Sequence, residues 1–262
     1  MSPRPARKEL GQHFLVDQNL LGVIGRLAEL GPDDVVLEVG PGLGVLTSYL
    51  ADNVGHVHAV ELDRSLEAPL RGALAGHPNV DLHFGDALEL DLTALEPAPS
   101  KLVSNLPYNI ATPLVVESLD LLPAVRLWTV MVQREVADRF FAAPSTKAYG
   151  AVSVLVQLST ERTGFHPVSR TVFRPRPNVD SALVAFRRLP AARTWDRRRV
   201  KKVVTAAFAH RRKRLSNSLE LTGIATRDQA AAALEAIGRE PGVRAEELAP
   251  PEFVALAEAL DR

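Results

Sequence analysis

From Val35 onward the chain alternates short apolar runs with stretches whose apolar residues recur every three or four positions. Val35–Val39, His56–Val60, Val80–Phe84 and Lys101–Ser104 have the length and apolar content of buried strands. A fifth run, Arg126–Gln133, passes into a helix over Arg134–Phe141, and Thr160–Phe165 and Ser181–Phe186 read as the last two strands. Ahead of them, Gln18–Leu30 carries apolar residues at 20, 21, 23, 24, 27 and 28, one helical face, with Gly31 and Pro32 as the stop. A further helix ends near Ala51, and Thr112 followed by Pro113 predicts the N-cap and first turn of one reaching Leu122. Tyr149–Leu158 is apolar on both periods and is assigned to a helix. Strands alternating with helices imply an α/β fold around a mostly parallel sheet.

Beyond Pro190–Thr194, which reads as a linker, the pattern is helical throughout: Asp196–His210, Arg214–Leu221, Arg227–Ile237 and Pro251–Leu260. The expected organisation is therefore a Rossmann-like domain over 1–189 and a small all-helical domain over 190–262. With 262 residues and 46% hydrophobic content, the chain can build one large core and a smaller one. The formal net charge is zero, but it is unevenly spread. Between Arg187 and Glu220 twelve Lys or Arg stand against Asp196 and Glu220, a local charge of +10, so the remainder sums to −10. A basic helical module of this kind suits backbone contacts to nucleic acid. There is no cysteine, which excludes disulfides, thiolate catalysis and zinc–thiolate sites, and no metal site is expected. No apolar run approaches the roughly 20 residues that span a bilayer, and Met1–Lys8 is basic without an apolar stretch behind it. The expected compartment is the cytoplasm, with no membrane partner.

The candidate chemistry lies at the ends of the strands. Val35–Val39 runs into Gly40, Pro41, Gly42, Leu43 and Gly44, a strand, glycine turn and helix start of the kind that lets backbone approach a nucleotide. A dinucleotide fingerprint needs G-x-G-x-x-G, whereas here the third glycine comes one position early and Val45 follows, which counts against a nicotinamide oxidoreductase. The second strand ends at Glu61, with Asp63 two residues on, and a carboxylate there can accept both ribose hydroxyls of a nucleoside. With no diphosphate to cradle, S-adenosylmethionine fits better. Asp86 closes the third strand and is either a turn aspartate or an acceptor for an adenine amine. Asn105, Leu106, Pro107 and Tyr108 follow the fourth strand: an amide oxygen and turn carbonyls beside an aromatic plate, suited to an adenine amine and its ring. Phe173 is the only aromatic in a loop stiffened by Pro175 and Pro177, and either closes over the base opposite Tyr108 or plugs the domain surface. His13, by itself, is a polar loop residue.

Taken together, these stretches resemble the KsgA/RsmA small-subunit ribosomal RNA adenine dimethyltransferases from Gly11 to about Leu260. The resemblance rests on Gly11–Leu15, Glu38–Gly44, Glu61–Asp63, Gly85–Ala87, Asn105–Tyr108 and Phe173–Ser181, in that order. It implies that His13, Leu15, Gly40, Glu61, Asp86 and Asn105 line an S-adenosylmethionine site. It also implies transfer of methyl groups to the N6 amines of adenines, two adjacent adenines near the 3′ end of the small-subunit RNA, each dimethylated, during ribosome biogenesis. The expected partner is ribosomal RNA in a small subunit or its assembly intermediate, and the expected state is a monomer. Erm-type enzymes, which methylate large-subunit RNA and confer antibiotic resistance, share the tetrad and glycine turn. Phe208, Arg211, Arg212, Lys213, Leu215, Asn217 and Leu219 resemble the opening of the KsgA helical domain instead. Arg176 between its two prolines and a sequence pI of about 7.1 depart from that family's habit. A third possibility is an RNA-binding assembly factor on the same scaffold.

Overall fold

A computed structural model describes residues 14–15, 17–190 and 195–261. The chain divides into two compact units, the first made of residues up to Ala137 with Glu161–Arg188, the second of Asp138–Thr160 with the residues from Leu189 onward.

The first unit is built on a seven-stranded sheet. Its members are β2 (Val35–Val39), β3 (His56–Glu61), β4 (Val80–Phe84), β5 (Lys101–Asn105), β6 (Leu127–Gln133), β7 (Thr160–Val168) and β9 (Ser181–Arg188), in the order β4-β3-β2-β5-β6-β9-β7. The strands from β4 to β6 are parallel, and β9 is antiparallel to β6. The inner strands read as unbroken apolar runs because helices cover both faces of a parallel sheet. Trp128 and Phe186 stack at 5.5 Å on neighbouring strands. The crossovers run through α2 (Val45–Ala51), α3 (Glu67–Ala73) and α4 (Ala111–Leu121), and α5 (Arg134–Phe140) follows β6. Chain order reverses between β2 and β5, whose ladder pairs only Val36 with Lys101 and Leu37 with Leu102. The two strands part toward their carboxyl ends, and Ser104 bridges the opening by donating to the Val39 carbonyl at 2.5 Å. Open α/β sheets take ligands at such a switch point.

Several elements differ from the sequence expectation. The first helix, α1 (Gln18–Ala28), stops before Leu30 because Glu29 takes a left-handed φ of 49°. Its carbonyl receives the Lys101 ammonium and its carboxylate pairs with Arg187 at 2.6 Å, so tertiary contacts hold a conformation that β-carbon sterics disfavour. Helix α4 begins at Ala111, since the Pro107 carbonyl already accepts from the amides of Ile110 and Ala111, both at 3.1 Å. Thr112 is therefore inside the first turn and not the N-cap. Helix α3 escapes the periodic reading because Pro69 and Gly72 interrupt it, although a parallel crossover demands an element there. The two-residue strands β1 (Phe14–Leu15) and β8 (Phe173–Arg174) pair antiparallel, Leu15 opposite Phe173.

The second unit is helical: α6 (Ala151–Ser159), α7 (Arg197–Ala209), α8 (Leu215–Leu221), α9 (Arg227–Ala236) and α10 (Pro250–Ala259). The stretch 138–160 joins it, unlike the single boundary at 189 expected from sequence, because Tyr149 and Val154 share a core with Val203, Leu219 and Phe253. The buried Tyr149 hydroxyl donates to the Leu248 carbonyl at 2.8 Å. Between α7 and α8 the run Arg211, Arg212, Lys213 and Arg214 is exposed.

Candidate active site

The cleft opens at the carboxyl ends of β2, β3, β4 and β5. It is lined by Phe14, Gly40, Gly42, Glu61, Asp86 and Asn105–Tyr108, together with Val39, Val60, Leu62, Gly85, Ala87, Asn109 and Ile110. Seven sequence candidates thus meet in one place: Gly40, Glu61, Asp86, Asn105, Leu106, Pro107 and Tyr108. Leu15 lies beside them, buried, on the wall formed with Glu38 and the glycine turn. His13 falls outside the described residues.

Two glycines set the shape of the turn. Gly40 has φ +78°, and a β-carbon there would stand 3.2 Å from the Pro107 ring, so the turn and the tetrad pack directly together. Gly42 has φ +59°, and a β-carbon would meet the Phe14 ring at 2.9 Å. Both positions need a left-handed backbone that only glycine adopts without cost, and both keep the floor of the cleft free of side chain.

The carboxylates are positioned by backbone. Glu61 accepts from the Gly42 amide at 3.1 Å and from the Asp63 amide at 2.8 Å, which ties the glycine turn to the end of β3. Burial pushes its carboxyl above the ordinary range, and these two amides pull it back. Each oxygen keeps acceptor capacity for a hydroxyl. Asp86 accepts from the Leu88 amide at 2.9 Å through one oxygen, which orients the carboxylate at the mouth of β4. Glu38, below the turn, is 1% exposed and one of its oxygens is buried without a hydrogen-bond partner. Burial, offset by the neighbouring Thr47 hydroxyl and reinforced by the Glu61 charge, raises its pKa to about 8. Among the described residues, the cleft lining includes Glu61 and Asp86 but no Lys or Arg. That field suits a cationic nucleoside and opposes a diphosphate, in keeping with the short glycine spacing.

The tetrad is held from several sides. Asn105 ends β5 opposite Met131, the Leu106 amide donates to the Met131 carbonyl at 3.0 Å, and Leu106 is 1% exposed. The Tyr108 hydroxyl lies 2.9 Å from the Ser181 hydroxyl at the start of β9, and burial raises its pKa, which keeps it a neutral phenol. Phe173 is not in the cleft lining. It is 2% exposed and packs in the core with Leu15, Val168 and Leu183, because its pairing with β1 turns the ring inward. In this structure it is an apolar anchor, and the expectation of a plate facing Tyr108 is corrected accordingly.

Sequence reasoning passed over Phe14, Leu62 and Ser181. Phe14 and Leu62, the latter 51% exposed, supply the apolar walls for a flat ring. The signal for both was their place inside motifs already singled out, Gly11–Leu15 and Glu61–Asp63. Ser181 closes the Phe173–Ser181 motif, but its contact with Tyr108 spans 73 residues and has no local signature.

A family profile described as ribosomal RNA adenine dimethylase matches residues 4–261. The chain is 48% identical over 255 residues to a Rubrobacter xylanophilus protein named ribosomal RNA small subunit methyltransferase A, covering 97% of this chain and 95% of that protein. Among solved structures, a dimethyladenosine transferase from Plasmodium falciparum superposes with a TM-score of 0.78 at 21% identity, over 93% of this chain and 96% of that one. The 23S rRNA methyltransferase ErmE superposes with a TM-score of 0.66 at 32% identity, over 95% and 100% respectively.

Proposed function

The chain belongs to the ribosomal RNA adenine dimethylase family and is an S-adenosylmethionine-dependent methyltransferase, and from that premise we propose that its cleft dimethylates adenine N6 amines of small-subunit ribosomal RNA during ribosome biogenesis. The observation that carries this reading is the direct packing of the glycine turn on the Asn105–Tyr108 tetrad, through Gly40 and Pro107, which supports a nucleoside site beside an amine-accepting one. The small-subunit assignment rests on the 48% identical relative of that name, against 32% for the large-subunit enzyme ErmE. The Erm-type reading is not favoured.

The residues fit the cofactor. Glu61 would accept from ribose hydroxyls and Asp86 from the adenine amine, Leu62 and Phe14 would flank the ring, and the bare backbone of Gly40 and Gly42 would let the ligand lie close. His13 and Leu15 complete the site on the resemblance already given. S-adenosylmethionine supplies an electrophilic methyl group on a sulfonium. The protein's own task is the amine. The N6 lone pair of adenine is delocalised into the ring, so the nitrogen is a poor nucleophile. The Asn105 side-chain oxygen and the Leu106 carbonyl accept its two hydrogens, favour a pyramidal nitrogen and aim its lone pair. The proton released afterwards passes to water, so no strong base is needed. A monomethylated amine keeps one hydrogen, and stacking on Tyr108, worth about 1–3 kcal/mol, holds the base through the second round. The exposed Arg211–Arg214 turn contributes phosphate contacts.

The test is incubation with labelled S-adenosylmethionine and either undermethylated small subunits or protein-free large-subunit RNA, followed by nucleoside analysis. N6,N6-dimethyladenosine from the small subunit alone is expected. Label in large-subunit RNA would move the protein to the Erm branch, and cofactor binding with no transfer to either would leave an assembly factor.

A further inference from the structure

A second cluster lies on β3 and β4, outside the lining of the cleft. His56 and His58 stand two apart on β3, Asp81 and His83 two apart on the edge strand β4, and the parallel register sets His58 beside Asp81 and Val60 beside His83. The two-residue alternation of strands therefore puts all four side chains on one face. Three of the chain's seven histidines converge here, although the fold makes no demand for imidazole on this face.

The distances are those of a coordination shell. His56 Nε2 lies 3.2 Å from Asp81 Oδ2, and His58 Nδ1 lies 3.3 Å from His83 Nε2. At a tetrahedral centre with metal–nitrogen and metal–oxygen bonds of about 2.0–2.2 Å, ligand atoms stand about 3.3–3.6 Å apart. Two edges thus already have nearly the required length. One donor atom each from His56, His58 and Asp81 lies within 4.8 Å of the others, and His83 adjoins this group through its contact with His58.

Hydrogen bonding makes the donors usable. His58 Nε2 is 2.9 Å from the Pro97 carbonyl, an acceptor only, so that nitrogen carries the proton and Nδ1 presents its lone pair to the cluster. An imidazole whose far N–H is held by a carbonyl is the usual outer support of a metal ligand. Hydrogen bonding accounts for the His58–His83 contact, whereas the buried His56 Nε2 faces the Asp81 carboxylate at 3.2 Å without hydrogen-bond geometry.

We propose that His56, His58 and Asp81, with His83 as fourth donor, form a binding site for a divalent transition-metal ion of the zinc class. Three imidazoles and one carboxylate favour such an ion over magnesium or calcium, which prefer all-oxygen shells. The ion links edge strand β4 to β3, and β4 leads directly into Gly85 and Asp86 of the cleft, so occupancy stiffens the strand that carries Asp86.

The test uses the untagged full-length chain, stripped with chelator and titrated with zinc ion alone. Binding of one ion per chain is expected, with a rise in Tm that magnesium does not reproduce and a visible absorption band of four-coordinate geometry when cobalt(II) replaces zinc. Asp81→Asn and His56→Gln, checked for folding by circular dichroism, are each expected to weaken zinc affinity by about tenfold or more. His77→Gln, which removes the separate His77–Asp52 contact at 3.2 Å, is expected to bind as the parent does. Absence of stoichiometric binding, undiminished binding in the folded Asp81→Asn and His56→Gln variants, or loss of binding in His77→Gln would each overturn the assignment.

Discussion

Glu38 holds a carboxyl group in the least hospitable place on the cleft wall, buried, with Glu61 adding a like charge. Its folded-state pKa of about 8 lies above the ordinary value of 4.5, so between those two pH values the folded chain keeps a proton that the unfolded chain releases. Stability from this group is complete below about pH 4.5 and is lost as pH rises through about 8. Glu38→Gln stays neutral throughout. Thermal unfolding of the two ligand-free proteins from pH 5 to pH 8.5 is therefore expected to show the variant gaining on the parent as pH rises; parallel curves would mean that Glu38 is ionised in the folded state. Tyr108 offers two features, a ring to which the proposed function assigns stacking and a hydroxyl 2.9 Å from that of Ser181. Tyr108→Phe is expected to keep most of the turnover, whereas Tyr108→Ala raises the KM for RNA roughly tenfold or more, the equivalent of one lost stack. Equal losses in the two variants would shift the role from the ring to the hydroxyl.

At the scale of elements, the glycine turn is the joint on which the site depends. Gly42 combines a left-handed φ with the Phe14 ring where a β-carbon would sit. Gly42→Ala must strain the backbone, at about 1–2 kcal/mol, and displace Phe14 as well. S-adenosylmethionine affinity, measured by calorimetry, is expected to fall at least tenfold while the far-ultraviolet circular dichroism is unchanged. Unaltered affinity would remove the turn from the binding site. The element boundaries make a related point: α1 stops where Lys101 and Arg187 hold Glu29, and α4 starts where the Pro107 carbonyl begins the turn. Neither signal is local in sequence, and both override caps that local residues suggest.

Across the molecule, the proposed function assigns RNA affinity to the helical unit, whereas a buried charge cluster in the first unit bears on stability. Asp34, 3% exposed near the amino ends of the strands, binds Lys101 and Arg126 at 2.6 Å each, and Lys101 is itself buried. Removing one partner of a buried pair strands the other's charge, typically at 3–5 kcal/mol. Asp34→Ala is accordingly expected to lower the Tm by several degrees, with S-adenosylmethionine affinity retained wherever the protein is folded. In the helical unit, Arg212→Glu with Lys213→Glu is expected to weaken RNA binding, with a log–log salt slope shallower by about 1 for each phosphate contact removed, and to leave cofactor affinity alone. An unchanged slope would place the RNA contacts elsewhere.

The sequence by itself determined the α/β class, the strands from Val35 to Asn105, the helices after Arg197, and the cluster of Gly40, Glu61, Asp86 and Asn105–Tyr108 at one edge of the sheet. These follow from local causes: apolar periodicity sets element type, and a parallel sheet puts the ends of its strands together. Only the tertiary structure decided that Phe173 faces the core, that Phe14 and Leu62 form the walls, that 138–160 joins the helical unit, and that three histidines and an aspartate meet on the outer strands. Each of these depends on which side of a strand a residue takes and which distant strand lies beside it. Strand pairing sets both, and no stretch of sequence contains the pairing.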